Sequence, residues 1–372
     1  MIPDVFRALL EGMKEKGASD LHIKVGSPPV YRIDGQLLRV AMGPLGPQDV
    51  DEILESSLGD RERAILAAEN QVDFALSIPK VARFRANVAR QRGTIAMTFR
   101  LVPYVIPTIE SLSLPPVLGD LALRPRGLIL VTGTVGSGKS TTLASMIDMI
   151  NTSHNVKVIT IEDPIEFLHS DKKGLIIQRE VGDDTASYGA ALKHVLRQDP
   201  NVILIGEIRD MDTMSIALTA ANTGHLVLST LHTIDATQTV NRIISFFPIH
   251  QHQEVRFLLS SALQAVISLR LIRRVDGKGR VPAVEVMITT AAIREYLMDP
   301  EKLHLIKAAI AEGVTEYGMQ AFDQSLMKLY KEGTITIEEA MQNSSNPTEF
   351  DLRVRGIEAT TDNTWSLFEG KR

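Results

Sequence analysis

The chain contains no cysteine. That excludes disulfide bridges, thiolate catalysis and cysteine-ligated zinc, and it agrees with a reducing compartment. Aromatic residues make up only 5% of the chain, and 45 acidic against 40 basic side chains leave a formal charge of −5. Nothing general in this composition attracts a polyanion or stacks on bases, so no nucleic-acid partner is expected. No run approaches the roughly 20 apolar residues of a membrane span. The opening residues, MIPDVFRALLEGMKEKGASD, alternate apolar and charged residues at helical spacing instead of following the order of a signal peptide. The expectation is a cytoplasmic protein whose membrane contact passes through a partner.

What is present is 372 residues with 44% apolar content, enough for two or three domains. Residues 1–101 read as a helix followed by mostly short strands, with a further helical pattern over 53–68: a small α+β domain. Residues 102–116 hold four prolines in an irregular stretch, the pattern of an extended connector. From 117 to 355 apolar runs (GLILVTG, VKVITIED, NVILIGEI, HLVLSTLH) alternate with helical patterns, the signature of a mostly parallel sheet in an α/β domain. Leu143, Met146, Ile147 and Ile150 form the buried stripe of one helix; Met214, Ala217, Leu218 and Ala221 repeat it in a second that ends at Gly224. After about Leu271 the pattern reads as mainly helical, and 356–372 has no period and reads as a mobile tail.

The segment VTGTVGSGKST, residues 131–141, is a complete phosphate-binding pattern with a strand before it and an amphipathic helix after it. Gly133, Thr134, Val135, Gly136, Ser137, Gly138, Lys139, Ser140 and Thr141 are the candidate nucleotide-binding residues. Backbone N–H groups and the helix start face the phosphates, Lys139 reaches them, and Ser140 ligates Mg2+. No Asn-Lys-x-Asp guanine-reading motif occurs, which makes ATP the expected nucleotide.

Other candidates stand at the ends of the following strands, where an open parallel sheet binds its ligands. In IEDPIEF, Glu162 is placed to orient or deprotonate a water, while Asp163 and Glu166 hold Mg2+ or serve only to cap an acidic turn. NVILIGEIRD ends in Gly206-Glu207 where the usual pattern has Asp-Glu; Glu207 is read as the Walker B acid and a metal ligand. Arg209 and Asp210 read as a surface ion pair. His225 and His232, seven residues apart, belong on opposite strand faces and are either hydrogen-bonded structural residues or sensors of the site. RFRANVARQRG and the later TFR bring Arg83, Arg85, Arg90, Arg92 and Arg100 together, a solvated hairpin or a set of arginine fingers.

GTVGSGKST, IEDPIEF, RQDPNVILIGEIRD and TGHLVLSTLHT occur in the order found in the secretion ATPases that drive type II secretion and type IV pili, and the resemblance runs along almost the whole chain. GASDLHIKVGSPPVYRIDGQL, RFRANVARQRG and FDQSLMKLYKEGTITIEEAM resemble its retraction branch. The absence of a four-cysteine metal site, common in extension and secretion members, points the same way. Of a late retraction motif, only Ala292, Ile293 and Arg294 match.

The resemblance implies a PAS-like N-terminal domain, a RecA-like ATPase domain, a homohexameric ring and an inner-membrane pilus platform protein as partner, with a second retraction ATPase as a further one. It implies that Glu162 activates water, that Glu207 is the Walker B acid, that His225 and His232 sense the nucleotide, and that Arg85 and Arg100, then Arg83, Arg90 and Arg92, close on the phosphates. The expected function is ATP-driven pilus retraction. Its alternatives are an accessory retraction paralogue, a DNA-translocating ring and a non-catalytic scaffold.

Overall fold

The computed structural model describes residues 2–33, 35–79 and 81–356. The tail expected over 356–372 lies, from 357 onward, outside the described residues. The chain divides into two compact units, Met1–Tyr104 and Val105–Arg372, and the expected α/β class is what the structure has.

In the first unit the helix Asp4–Glu15 buries Phe6, Leu9, Leu10 and Met13, a stripe at i, i+3, i+4, i+7. The sheet is six-stranded: β1 (Asp20–Lys24), β2 (Val30–Ile33), β3 (Gln36–Arg39), β4 (Gln71–Ile78), β5 (Ala82–Gln91) and β6 (Thr94–Leu101). Its order is β3-β2-β1-β6-β5-β4, antiparallel throughout. Phe84, Ala86, Val88, Met97 and Phe99 are buried on one face, which leaves the alternate positions to form a polar face. The helical pattern expected over 53–68 is two helices, Pro47–Ser57 and Asp60–Glu69. Gly59 makes the break: its N–H donates to Glu62 Oε2 at 3.0 Å and starts a new helix.

The second unit is built on seven strands: β7 (Gly127–Thr132), β8 (Lys157–Glu162), β9 (Leu175–Glu180), β10 (Val202–Ile205), β11 (Leu226–Leu231), β12 (Leu263–Arg273) and β13 (Arg280–Ile288). The order is β13-β12-β7-β11-β10-β8-β9, all parallel except the antiparallel edge strand β13. β7, β10 and β11 are buried along their whole length, as strands covered on both faces must be. The two predicted helix stripes are buried in Lys139–Ser153 and Met211–Asn222.

The reading of a mainly helical region after Leu271 is corrected over 271–288, where β12 continues and β13 follows. Nearly every residue of β13 is buried, and Ser325 of the helix Phe322–Lys331 accepts the N–H of Val284 at 3.0 Å. Burial on both faces removes the alternation that would have marked a strand. Pro282 is tolerated because β13 lies at the sheet edge. Within 102–116, Val102 N–H donates to Arg83 O, and Leu114 is buried in the core of the second unit. No helix among the described residues is long and apolar enough to cross a membrane.

Candidate active site

Parallel strands deliver their carboxyl ends to one edge, and the cleft of ≈ 420 Å³ there is lined by residues that follow β7, β8, β10 and β11. β7 leads into the loop 133–138, in which Gly133, Gly136 and Gly138 all take positive φ. At Gly133 the constraint is also one of space. A Cβ there would lie 2.5 Å from Ser137 Oγ and 2.6 Å from Leu269 O, so the tight curl accepts no side chain. Lys139 opens the following helix, and its Nζ donates to the carbonyls of Gly133 and Thr134, each at 2.9 Å. Burial lowers the Lys139 pKa, while Glu207 and Glu166 oppose that shift. Ser137 Oγ is buried without a hydrogen-bond partner. A curled loop and a buried ammonium together fit a phosphate chain; Ser137, also expected there, is not among the residues lining the cleft.

Val135, Gly136, Gly138, Lys139, Ser140 and Thr141 line the cleft. Gly133 and Thr134 contribute by holding Lys139.

Across the cleft β8 ends in Glu162. Thr160 Oγ1 and Gln178 Nε2 donate to its Oε1 at 2.6 and 3.0 Å. Burial raises the Glu162 pKa despite those donors, which brings the carboxylate closer to the basicity of a neutral-pH general base. Gln178 also donates to Phe167 O and accepts from His169 N–H, so one side chain of β9 both orients Glu162 and staples the acidic loop. Sequence reading missed Gln178 because β9 had not been assigned as a strand; the run LIIQRE is the signal that was there.

Glu207 follows β10. It is paired with Arg209, and His232 Nε2 lies 3.3 Å from its Oε2. The expected Arg209–Asp210 ion pair is therefore corrected: Arg209 turns to the nearer acid of the cleft, whereas Asp210 caps the next helix by accepting the Thr213 N–H at 2.8 Å. The two histidines also separate. His232 lines the cleft, while His225, before the start of β11, contacts Ala220 O at 3.0 Å and belongs to a helix end. Thr230 Oγ1 donates to Gly206 O at 2.7 Å and ties the ends of β10 and β11 together.

Ser140, Asp163, Glu166 and Glu207 all line the cleft. Among the described residues, however, no three carboxylate or imidazole groups converge on one metal position. Their oxygen donors are of the kind Mg2+ takes, one or two carboxylates completed by water and substrate phosphate.

In the first unit Arg100 Nε donates to the buried Asp20 at 2.7 Å. Burial works against ionisation of Asp20, but hydrogen bonds from Ser19 and Arg100 outweigh it and lower its pKa. Register aligns Arg32, Asp20, Arg100 and Arg85 as successive cross-strand partners, and Arg83 shares the face of Arg85 by alternation. Arg90 lies at the other parity. Arg92 lies off the strand: with Gly93 it forms the two-residue turn, at φ 48° and 76°, because β5 ends at Gln91.

The family model "Type II/IV secretion system protein" matches residues 115–361. The chain belongs to that family. It is 43% identical to the type IV pilus retraction ATPase PilT of Pseudomonas aeruginosa over 342 residues, covering 92% of this chain and 98% of that protein. It is 40% identical to the type IV pilus ATPase PilU of the same organism over 366 residues, 98% and 95% of the two chains. A crystal structure of the pilus retraction motor PilT with bound ADP superposes with a TM-score of 0.85 at 46% identity, covering 92% of this chain and 98% of that one. The cleft described above thus belongs to a secretion-family member whose solved relative holds a nucleotide.

Proposed function

We propose that this protein is an ATP-hydrolysing motor that powers type IV pilus retraction, working as a homohexameric ring on the cytoplasmic side of the inner membrane against the platform protein of the pilus machine. The observation that carries this reading is one cleft that combines a phosphate-cradling loop with a shielded, raised-pKa carboxylate, in a chain similar over 92% of its length to a pilus retraction ATPase. Glu162 takes the proton of the attacking water, and Lys139 holds the phosphates. His232 follows the state of Glu207 through their contact. Ser140 and Glu207, with Asp163 and Glu166, would hold Mg2+, which would neutralise phosphate charge when bound.

Arg85 and Arg100, with Arg83, are assigned to phosphate contact during turnover, with Arg90 and Arg92 as second candidates. Work follows if ATP binds the closed state more tightly than the open one. An accessory retraction ATPase is the second reading, favoured by the similarity to PilU over 98% of the chain.

The test is to count surface pili and retraction events in cells lacking the gene, with the wild-type or the Lys139→Ala form restored. Excess, non-retracting pili cured only by the wild-type gene are expected. Bald cells would make it an extension motor, and unchanged pili would favour the accessory reading. Lys139→Ala should hydrolyse no ATP while remaining folded; normal turnover would remove the site assignment.

A further inference from the structure

Position 206, where the usual pattern places an aspartate, is glycine, and its backbone is pinned on both sides. Gly206 N–H donates to Ile161 O at 2.8 Å, and its carbonyl accepts from Thr230. A Cβ built on Gly206 would lie 2.7 Å from the hydroxyl of Tyr188, with Ile161 O at 3.2 Å and Glu162 Cα at 3.3 Å. The Tyr188 hydroxyl therefore occupies the space into which a side chain at 206 would project, between the ends of β8 and β10. Tyr188 opens the helix Tyr188–Val195, whose N-cap Ser187 accepts the Ala190 N–H, so the ring is held on a fixed element.

We propose that Tyr188 is a positioning residue of this site: its hydroxyl takes the place of the missing side chain at 206 and fixes the ends of β8 and β10, from which Glu162 and Glu207 reach the cleft. The proposal rests on the reading of the cleft as an ATP-hydrolysing site.

Burial and the negative charges of Asp163, Glu207 and Glu162 raise the Tyr188 pKa, opposed by Arg209, so the phenol keeps its proton throughout the working pH range. The other charged or titratable groups of the cleft are Glu166 on the loop after β8, Lys139 on the phosphate loop's helix, His169, His232 after β11 and Arg280 at the start of β13.

The experiment compares the full chain with Tyr188→Phe, Gly206→Ala and the double variant, by steady-state ATP hydrolysis and by thermal unfolding. Tyr188→Phe should lower kcat roughly tenfold, the scale of a small misplacement of the reacting groups, with KM little changed. Gly206→Ala should lose stability and activity, and Tyr188→Phe added to it should restore part of the stability, a non-additive cycle. An unchanged kcat in Tyr188→Phe would overturn the positioning role. Strict additivity would overturn the shared space. If the wild type itself failed to hydrolyse ATP, the functional reading and the positioning role would both fall, and the unfolding cycle would still decide the shared space.

Discussion

The two sheets of this protein place their charged residues in different ways. In the parallel sheet of the second unit the central strands β7, β10 and β11 are buried along their length, and polar groups collect at one edge, where β7, β8, β10 and β11 end in the phosphate loop, Glu162, Glu207 and His232. In the antiparallel sheet of the first unit they are spread over one face, in rows such as Arg32, Asp20, Arg100 and Arg85. An edge shields its carboxylates, as the raised pKa of Glu162 shows. A face leaves its guanidiniums in water, with 62% of the Arg100 side chain exposed, and buries only the acid that pairs them, 3% exposed at Asp20. The edge is suited to chemistry, and the face to reaching outward toward an anion.

The sharpest test of that contrast is Glu162→Gln, which keeps the shape and an acceptor for Thr160 while removing the base. Hydrolysis should fall roughly 10²- to 10⁴-fold, with ATP binding, measured by equilibrium titration, retained. Because burial raises its pKa, the wild-type acid limb of kcat should lie above the ordinary carboxylate range, and it should vanish in the variant. Turnover within a few-fold of wild type would deprive the edge of its base.

The same contrast explains what was legible in the sequence. Edge residues announce themselves locally, since each apolar run ends in a polar group at the cleft; the places of Lys139, Glu162 and Glu207 there, and the two helix stripes, are legible from spacing alone. Gln178 and Tyr188 could not, because their place depends on how β9 and the helix Tyr188–Val195 pack against β8. Face residues depend on register. Asp20 and Arg100 are eighty residues apart, and only the β1–β6 pairing makes them neighbours. Arg209 was assigned to Asp210 because sequence proximity was the only guide, and β13 was missed because full burial erased its alternation.

A smaller effect is expected at the face. Asp20→Asn should destabilise the first sheet by about 1–3 kcal/mol, toward the lower end because the exposed Arg100 is screened by water. Hydrogen exchange of the β1 and β6 amides measures it locally, where a single global unfolding curve of two units would not. The Asp20 pKa is lowered from 3.8, so its contribution is fully present above that value and is lost as pH falls through the lower folded one. The wild-type sheet should lose protection over that window, and Asp20→Asn should not. Equal protection in the two proteins at neutral pH would mean that the row of charges adds nothing to the fold.

The smallest effect belongs to the hairpin turn, where face and turn arginines can be told apart. Arg92 holds a φ of 48° beside Gly93, a conformation that suits asparagine better than an arginine. Arg92→Asn should stabilise the first unit by up to ~1 kcal/mol, seen as slower exchange at the ends of β5 and β6. Arg85→Ala should instead change stability little and lower kcat, if the face carries the phosphate contact. A fall in kcat on Arg92→Asn, in a hairpin made more stable, would move that contact from the face to the turn.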